Sequence, residues 1–133
     1  LPKTWLAMAG IDVGTSMTGE NLAEIAGGTA KTRSNEIFAQ ISESRVGRCI
    51  RTPEYLYSVY APGKDGKTYP GSDIYQDDFL YDLKADPFEL NNLAGDARYA
   101  VVREDLAARL KKAMVQAGEM EPVILEAGEK IKS

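Results

Sequence analysis

Apolar and polar residues alternate along three closely spaced stretches in the middle of the chain, at residues 37–42, 46–52 and 55–60. These stretches are rich in β-branched and aromatic residues, which is typical of strands that bury one face. The same pattern predicts a fourth strand at residues 79–83. Closely spaced strands usually pair antiparallel, so we expect a sheet of about four antiparallel strands.

A longer period appears at residues 97–117, where apolar residues recur every three or four positions. That spacing places them on one stripe of an α-helix, which we expect to pack against the sheet. Asp96 suits the N-cap of this helix, and Gly118 suits the left-handed residue that follows it. The predicted fold class is therefore α+β, an antiparallel sheet packed against a long C-terminal helix.

The beginning of the chain has a different pattern. Residues 1–11 have the apolar spacing of a short amphipathic helix, and residues 21–26 predict one or two further helical turns. Residues 29–34 are mostly small or polar and predict a linker. We therefore expect an N-terminal helical segment with its linker at residues 1–34 and a separate domain at residues 35–133.

Composition narrows the classes of partner. The formal net charge of −4 argues against nucleic acid or an anionic membrane as a partner, since both require a basic surface. No apolar run approaches the roughly 20 residues that span a bilayer. We expect neither a nucleic-acid partner nor a membrane.

Candidate chemistry is limited by the absence of histidine from all 133 residues. This chain alone therefore cannot form a Ser-His-Asp triad, a Cys-His pair or a histidine metal site. Its one cysteine, Cys49, lies between Arg48 and Arg51. A reactive thiolate is one interpretation, but a small residue on a sheet face is favoured.

The segment LYDLKADPFELNNL, residues 80–93, reads as a strand end, a proline stop and a polar turn. It closely resembles the signature ELYDLxxDPxExxNL, found near the C-terminus of type I sulfatases in the alkaline phosphatase superfamily. Residues 1–28 are similar to the family's DLxPTLLxLAGIxxPxxxxGxSLxPLLxG segment. Residues 48–60 resemble its RxxRTxxYKYxxY strand pair, with Leu56 where lysine is common.

The resemblance covers nearly the whole chain and implies the C-terminal subdomain of a sulfatase. In the family this subdomain is a four-stranded antiparallel sheet packed with a C-terminal helix. Residues 1–34 would then be the end of the parent's catalytic domain, which is the expected partner.

The resemblance also implies chemistry that lies elsewhere in the parent. Sulfatases hydrolyse sulfate esters with a formylglycine, made from cysteine or serine in a C/S-x-P-x-R motif, and with a calcium ion. Cys49 is not in such a motif, so we assign no catalytic residue, metal ligand or cofactor to this chain and expect it to be inactive alone.

Several residues of the signature are interpreted as structural, since Asp-Pro sets a turn and asparagine bonds to nearby backbone groups. These structural residues are Tyr81, Asp82, Asp86, Pro87, Glu89 and Asn92. Leu90 and Leu93 are expected to pin the turn against the core.

The loop at residues 62–77 is the best candidate for a functional segment, because sulfatase subdomain loops can help shape the substrate pocket. Lys64 and Lys67 are candidates for contact with an anionic substrate. A hairpin connection with no binding role is the favoured alternative.

Two charged groups have alternative interpretations. Arg45, Arg48 and Arg51 suit a sulfate ester, but a strand points Arg48 and Arg51 to opposite faces, and pairing with carboxylates such as Asp82 or Glu89 is favoured. The second group suggests calcium, although its spacing fits no EF-hand loop and an acidic solvated loop is favoured. The members of this group are Asp73, Asp77, Asp78 and Asp82.

Trp5, Leu6 and Met8 form an apolar patch that we expect to pack on the parent's catalytic domain. Without that domain we expect a homo-oligomer through this helix, or packing of the helix over a sheet. Two alternatives to a sulfatase subdomain stay open. One is a free-standing binding or scaffold module, and the other is a fragment of a related phosphodiesterase or phosphonate hydrolase.

Overall fold

The computed structural model describes residues 2–12, 14, 17, 19–28 and 35–128. The chain divides into two compact units, Leu1–Ser34 and Asn35–Ser133. The linker predicted at residues 29–34 lies outside the described residues. The interpretation of the first unit as the end of a catalytic domain stays a prediction.

The first unit contains two short helices, α1 (Pro2–Met8) and α2 (Leu22–Ala26). Gly10 follows α1 with a φ of 74°, a left-handed conformation that suits a residue after a helix end. The backbone amide of Leu22 donates a hydrogen bond of 3.0 Å to the hydroxyl of Thr4. That bond joins the start of α2 to α1, so the predicted helical segment is present.

The second unit is built on one sheet of five strands, in the order β1-β2-β3-β4-β5. The strands are β1 (Ile37–Ser42), β2 (Val46–Arg51), β3 (Tyr55–Tyr60), β4 (Ile74–Asp82) and β5 (Val123–Leu125). The first four are antiparallel, as predicted, and β5 pairs with β4 in parallel. The sheet thus has one strand more than expected, because the tail after Gly118 pairs with β4.

One long helix follows the sheet. A 3₁₀ turn at Ala97–Tyr99 leads into α3 (Ala100–Gln116), which buries Leu106, Leu110 and Met114. Each large apolar side chain buried in this way stabilises the packing by about 1.5–3 kcal/mol. The α+β class is therefore confirmed. No helix within the described ranges is long and apolar enough to cross a membrane.

The two faces of the sheet differ in burial, and cross-strand neighbours share a face. One row of neighbours joins Phe38, Ile50, Tyr57 and Leu80, and these residues pack into the core that α3 covers. The opposite side, which we call the open face, is exposed or half-buried. Its residues are Ile37, Ala39, Ile41, Cys49, Leu56, Ser58, Tyr60, Phe79 and Tyr81.

Candidate functional site

The loop between β3 and β4 carries both lysines predicted as substrate contacts. The ammonium nitrogen of Lys64 lies 4.4 Å from the ring centre of Tyr69, which is a cation–π contact. Lys67 is exposed, and its backbone amide donates a bond of 3.0 Å to Asp65 Oδ1. The structure thus places two cations on one loop, and their role in binding stays a prediction.

This loop is anchored to the turn between β1 and β2. A Cβ atom on Gly66 would lie 2.7 Å from the backbone nitrogen of Glu43, so glycine is required for the approach. The hydroxyl of Ser42 donates a bond of 2.8 Å to the carbonyl of Pro70. These contacts join the loop to the β1–β2 hairpin, and sequence spacing alone does not reveal them.

Arg48 is the central anchor of the loop. Its guanidinium donates to the carbonyls of Pro70 (2.8 Å) and Gly47 (2.8 Å). It also pairs with Glu119, whose carboxylate oxygen lies 2.7 Å from Nε. Because the side chain is only 2% exposed, the guanidinium serves acceptors within the chain, and the alternative of sulfate binding by Arg48 loses its support.

The other two arginines lie on the open face and are also paired. Arg51 donates to Glu89 Oε1 at 2.8 Å, which confirms the favoured interpretation of this residue. Arg45 forms an ion pair with Asp78, and its guanidinium lies 5.8 Å from the ring centres of Tyr60 and Phe79. Arg48 and Arg51 point to opposite faces, as the period of two predicted.

The four aspartates predicted as an alternative calcium site do not converge. Asp77 binds Tyr57 and Arg103 on the helix-facing side, whereas Asp78 pairs with Arg45 on the open face. Asp82 Oδ1 instead accepts a backbone amide in the turn after β4, at 3.0 Å from Ala85 N. Among the described residues no cluster of three acidic, cysteine or histidine side chains could hold a metal ion.

A buried polar cluster between β3, β4 and α3 was not predicted. The hydroxyl of Tyr57 donates to Asp77, and Arg103 Nε lies 3.3 Å from the other carboxylate oxygen of Asp77. Arg103 also donates to the carbonyl of Ala94 at 2.9 Å and to Glu126 at 2.8 Å. These bonds tie α3 to the sheet and to the segment after β5.

Burial dominates the electrostatics of that cluster. It raises the pKa of Asp77 although Tyr57 and Arg103 act in the opposite direction. Burial also raises the pKa of Tyr57, with a further contribution from its bond to Asp77. The signal available in the sequence was the two-residue spacing of Tyr75 and Asp77, which places both residues on the same, buried side of β4.

The sulfatase-like signature forms a tight turn between β4 and α3. Asp86 Oδ2 accepts the backbone amide of Asn91 at 2.7 Å. Asn92 joins the turn to β4, because its Oδ1 accepts the amides of Leu80 and Ala94, each at 3.0 Å. In these contacts, side-chain oxygens of the signature accept backbone amides of the turn and of β4.

One prediction about this turn is wrong. Leu93 packs against the core, but Leu90 is 79% exposed and does not. Leu90 follows Glu89, which has a φ of 56°, a left-handed conformation rarely adopted by a residue other than glycine. Hydrophobicity alone could not reveal this backbone conformation.

Cys49 is half-buried on the open face. Burial raises the pKa of its thiol, which opposes the lowering effects of the Ala39 backbone and of Arg51. A raised pKa disfavours the thiolate. The structure therefore supports the interpretation of Cys49 as a small residue on a sheet face.

Known proteins resemble this chain in structure. No family model matches it, and no curated protein does. A candidate sulfatase from Bacteroides thetaiotaomicron matches at a TM-score of 0.70 and 26% identity, over 90% of this chain and 24% of its own. A 2-O GAG sulfatase matches at a TM-score of 0.69 and 27% identity, over 89% of this chain and 24% of its own.

A third structure matches at a TM-score of 0.70 over 90% of this chain. Its identity of 23% supports a similarity of fold only. It was solved with its substrate D-glucosamine-2-N,6-O-disulfate. The chain thus spans about a quarter of the length of the proteins it matches.

The shared fold indicates the class of protein that the chain resembles. The first two structural neighbours are sulfatases, which are hydrolases. The chain is similar in structure to about a quarter of each of these sulfatases, which agrees with the sulfatase resemblance of its sequence.

Proposed function

We propose that this chain is the C-terminal subdomain of a sulfatase-like hydrolase, is inactive alone, and packs beside the parent's substrate cleft. The observation that carries the proposal is the coverage, 90% of this chain against 24% of a candidate sulfatase. The parent would hydrolyse sulfate esters. Its formylglycine and calcium would come from the remainder of the parent, because this chain has neither a C/S-x-P-x-R motif nor histidine.

The reading frame that encodes this chain tests the proposal. We expect a C/S-x-P-x-R motif upstream of residue 1 in the same frame. A start codon immediately before Leu1 would instead support a free-standing binding or scaffold module. An upstream catalytic domain with a different nucleophile motif would support the phosphodiesterase or phosphonate hydrolase alternative.

The same proposal gives Lys64 and Lys67 a role in contacting an anionic substrate. The loop that carries them is anchored by contacts at Gly66 and Pro70, and these contacts hold the backbone next to the two lysines. A structural neighbour that is a 2-O GAG sulfatase supports a sulfated carbohydrate as the substrate class.

Kinetics of the longer parent protein test these two lysines. Lys64→Gln or Lys67→Gln should raise KM about three- to tenfold with kcat nearly unchanged, the behaviour of a contact made equally in ground and transition states. Lys112→Gln, on the exposed side of α3, is the matched control and should leave KM unchanged. Equal KM values for all three variants would remove both lysines from the site.

The first unit offers a second contact for the parent. Trp5 is 62% exposed and Met8 is 75% exposed, and we propose that the parent's catalytic domain covers them. The 133-residue chain should then self-associate through α1. Size-exclusion chromatography with light scattering tests this, and a Trp5→Ser, Met8→Ser variant should shift the distribution toward monomer.

A further inference from the structure

We propose that residues 123–127, which we call the strap, form a latch on the edge of the sheet that holds more tightly in acid than at neutral pH. The strap consists of β5 and the two residues that follow it. This inference is independent of the proposed function, because the strap and the groups that it covers all lie in the second unit of this chain.

The strap is attached to β4 by a few bonds and by little apolar burial. Its parallel pairing with β4 extends over three residues, and the amide of Val123 donates to the carbonyl of Asp73 at 2.9 Å. Gln76 Nε2 donates to the carbonyl of Glu126 at 3.1 Å. Ile124 packs against the core but is only half-buried, and Val123 is 56% exposed. A short edge segment with so few contacts opens locally at a much lower free energy than the whole fold.

The closed strap covers the carboxylate of Asp77. This side chain is only 3% exposed and contacts groups from three elements. It accepts a hydrogen bond from the hydroxyl of Tyr57, lies 3.3 Å from Arg103 Nε, and accepts the backbone amide of Ala127. Because Ala127 is the last residue of the strap, opening removes that amide and admits water to the carboxylate.

The charges around Asp77 do not balance when the strap is closed. Arg103 is shared between two carboxylates, since its Nη2 atom donates to Glu126 at 2.8 Å. A cavity of about 120 Å³ beside Asp77 is also lined by Glu104 and Lys111 of α3, whose charges are opposite. The titratable and charged groups that face Asp77 are thus Tyr57 from β3, Arg103, Glu104 and Lys111 from α3, and Glu126 from the strap.

Protonation of Asp77 is coupled to closure. Burial raises the pKa of Asp77 and the Glu126 carboxylate adds to this effect, whereas the Ala127 amide lowers it. Opening reduces the burial, which is the largest influence, and carries Glu126 away, so the pKa returns toward its usual range. The closed form therefore binds a proton more readily than the open form. By linkage, closure gains stability as the pH falls through the pKa of the closed form, and the gain is complete below the pKa of the open form.

Amide hydrogen exchange of the 133-residue chain, measured by NMR between about pH 4 and about pH 8, tests the latch. The reporter is the amide of Val123. The control is the amide of Leu93, which donates to the carbonyl of Leu80 at 2.8 Å outside the strap. Protection factors are compared, because they remove the intrinsic dependence of exchange on pH.

Two variants separate the carboxylates. Glu126→Gln removes the titration of the strap carboxylate and leaves that of Asp77. Asp77→Asn has a side chain of the same size and an acceptor for Tyr57, but it cannot be protonated in this range.

We expect the protection factor of Val123 in Glu126→Gln to rise about threefold or more from about pH 8 to about pH 4, without a parallel rise at Leu93. In Asp77→Asn the protection factor of Val123 should be independent of pH. A protection factor in Glu126→Gln that is constant, or that falls in acid, would overturn the latch, and this result stands by itself if Asp77→Asn does not fold. A rise that persists in Asp77→Asn, or that Leu93 shares, would also overturn it.

Discussion

Single polar side chains hold the segment that leads from β4 into α3. Asn92 reaches back to β4, accepting the amide of Leu80 at 3.0 Å and donating to the carbonyl of Asp78 at 2.8 Å. A few residues later, Asp96 accepts the amide of Arg98 at 3.0 Å and begins the helical turn. These residues position the ends of two elements rather than any reacting group.

Replacing Asn92 tests the importance of that bridge. Asn92→Ala removes three hydrogen bonds and leaves the amide of buried Leu80 unpaired, so the free energy of unfolding should fall by about 2 kcal/mol. Urea denaturation measures the loss. The neighbouring substitution Asn91→Ala should cost less than about 1 kcal/mol, because its side-chain bond is long and exposed, at 3.3 Å to Asp86. Equal losses for the two variants would show that Asn92 has no special role.

Asp96 predicts a defined pH dependence. Its hydrogen bond with the Arg98 side chain, followed by the Arg98 amide, lowers the pKa of the carboxyl from 3.8 to about 2. A lowered pKa means that the ionised carboxylate contributes its full stability above pH 3.8 and loses it as the pH falls through about 2.

A carbon-detected NMR titration should place the midpoint of the Asp96 carboxyl at about 2. In Arg98→Ala the midpoint should move part of the way toward 3.8, since only the backbone bond remains. An unchanged midpoint in that variant would show that the arginine side chain does not lower the pKa.

At the scale of elements, the sequence pattern predicted the strands and the helix whose residues follow a local periodicity. Alternation located β1, β2 and β3, and the three- and four-residue spacing located α3. The first half of β4 was assigned to a loop, because Asp77 and Asp78 interrupt the apolar pattern that Tyr75 begins. Those aspartates are paired across the structure, with Arg103 and Arg45, and such distant partners leave no local signal.

The short strand β5 was missed for a related reason. Its three residues form a strand only by pairing with β4, with Val123 beside Ile74. The candidate site shows the same limit. The lysines were visible in sequence, but the anchor of their loop depends on Arg48, Pro70 and Glu119, which are distant along the chain.

Limited trypsin digestion tests that anchor. Arg48→Met removes the bond to Pro70 and the pair with Glu119, so cleavage after Lys64 and Lys67 should become about tenfold faster as the loop opens more often. Arg51→Met is the matched control, because this arginine lies three residues later on the opposite face of the sheet and pairs with Glu89. The anchor would be refuted if both variants were cleaved at the rate of the native chain.

At the scale of the whole molecule, the chain has one covered sheet face, one open face and a first unit with exposed apolar residues. Its structural neighbours are about four times as long, and its sequence contains neither histidine nor a C/S-x-P-x-R motif. The proposed function, in which the catalytic groups would lie in the remainder of a longer parent, is compatible with these observations.

Hydrolysis of a chromogenic aryl sulfate tests this account most directly. The purified 133-residue chain and the protein encoded by its whole reading frame are compared at equal molar concentration. We predict that the short chain matches the buffer blank and that the longer protein releases the chromophore. Turnover by the short chain that rises in proportion to its concentration, and persists through purification, would contradict the account.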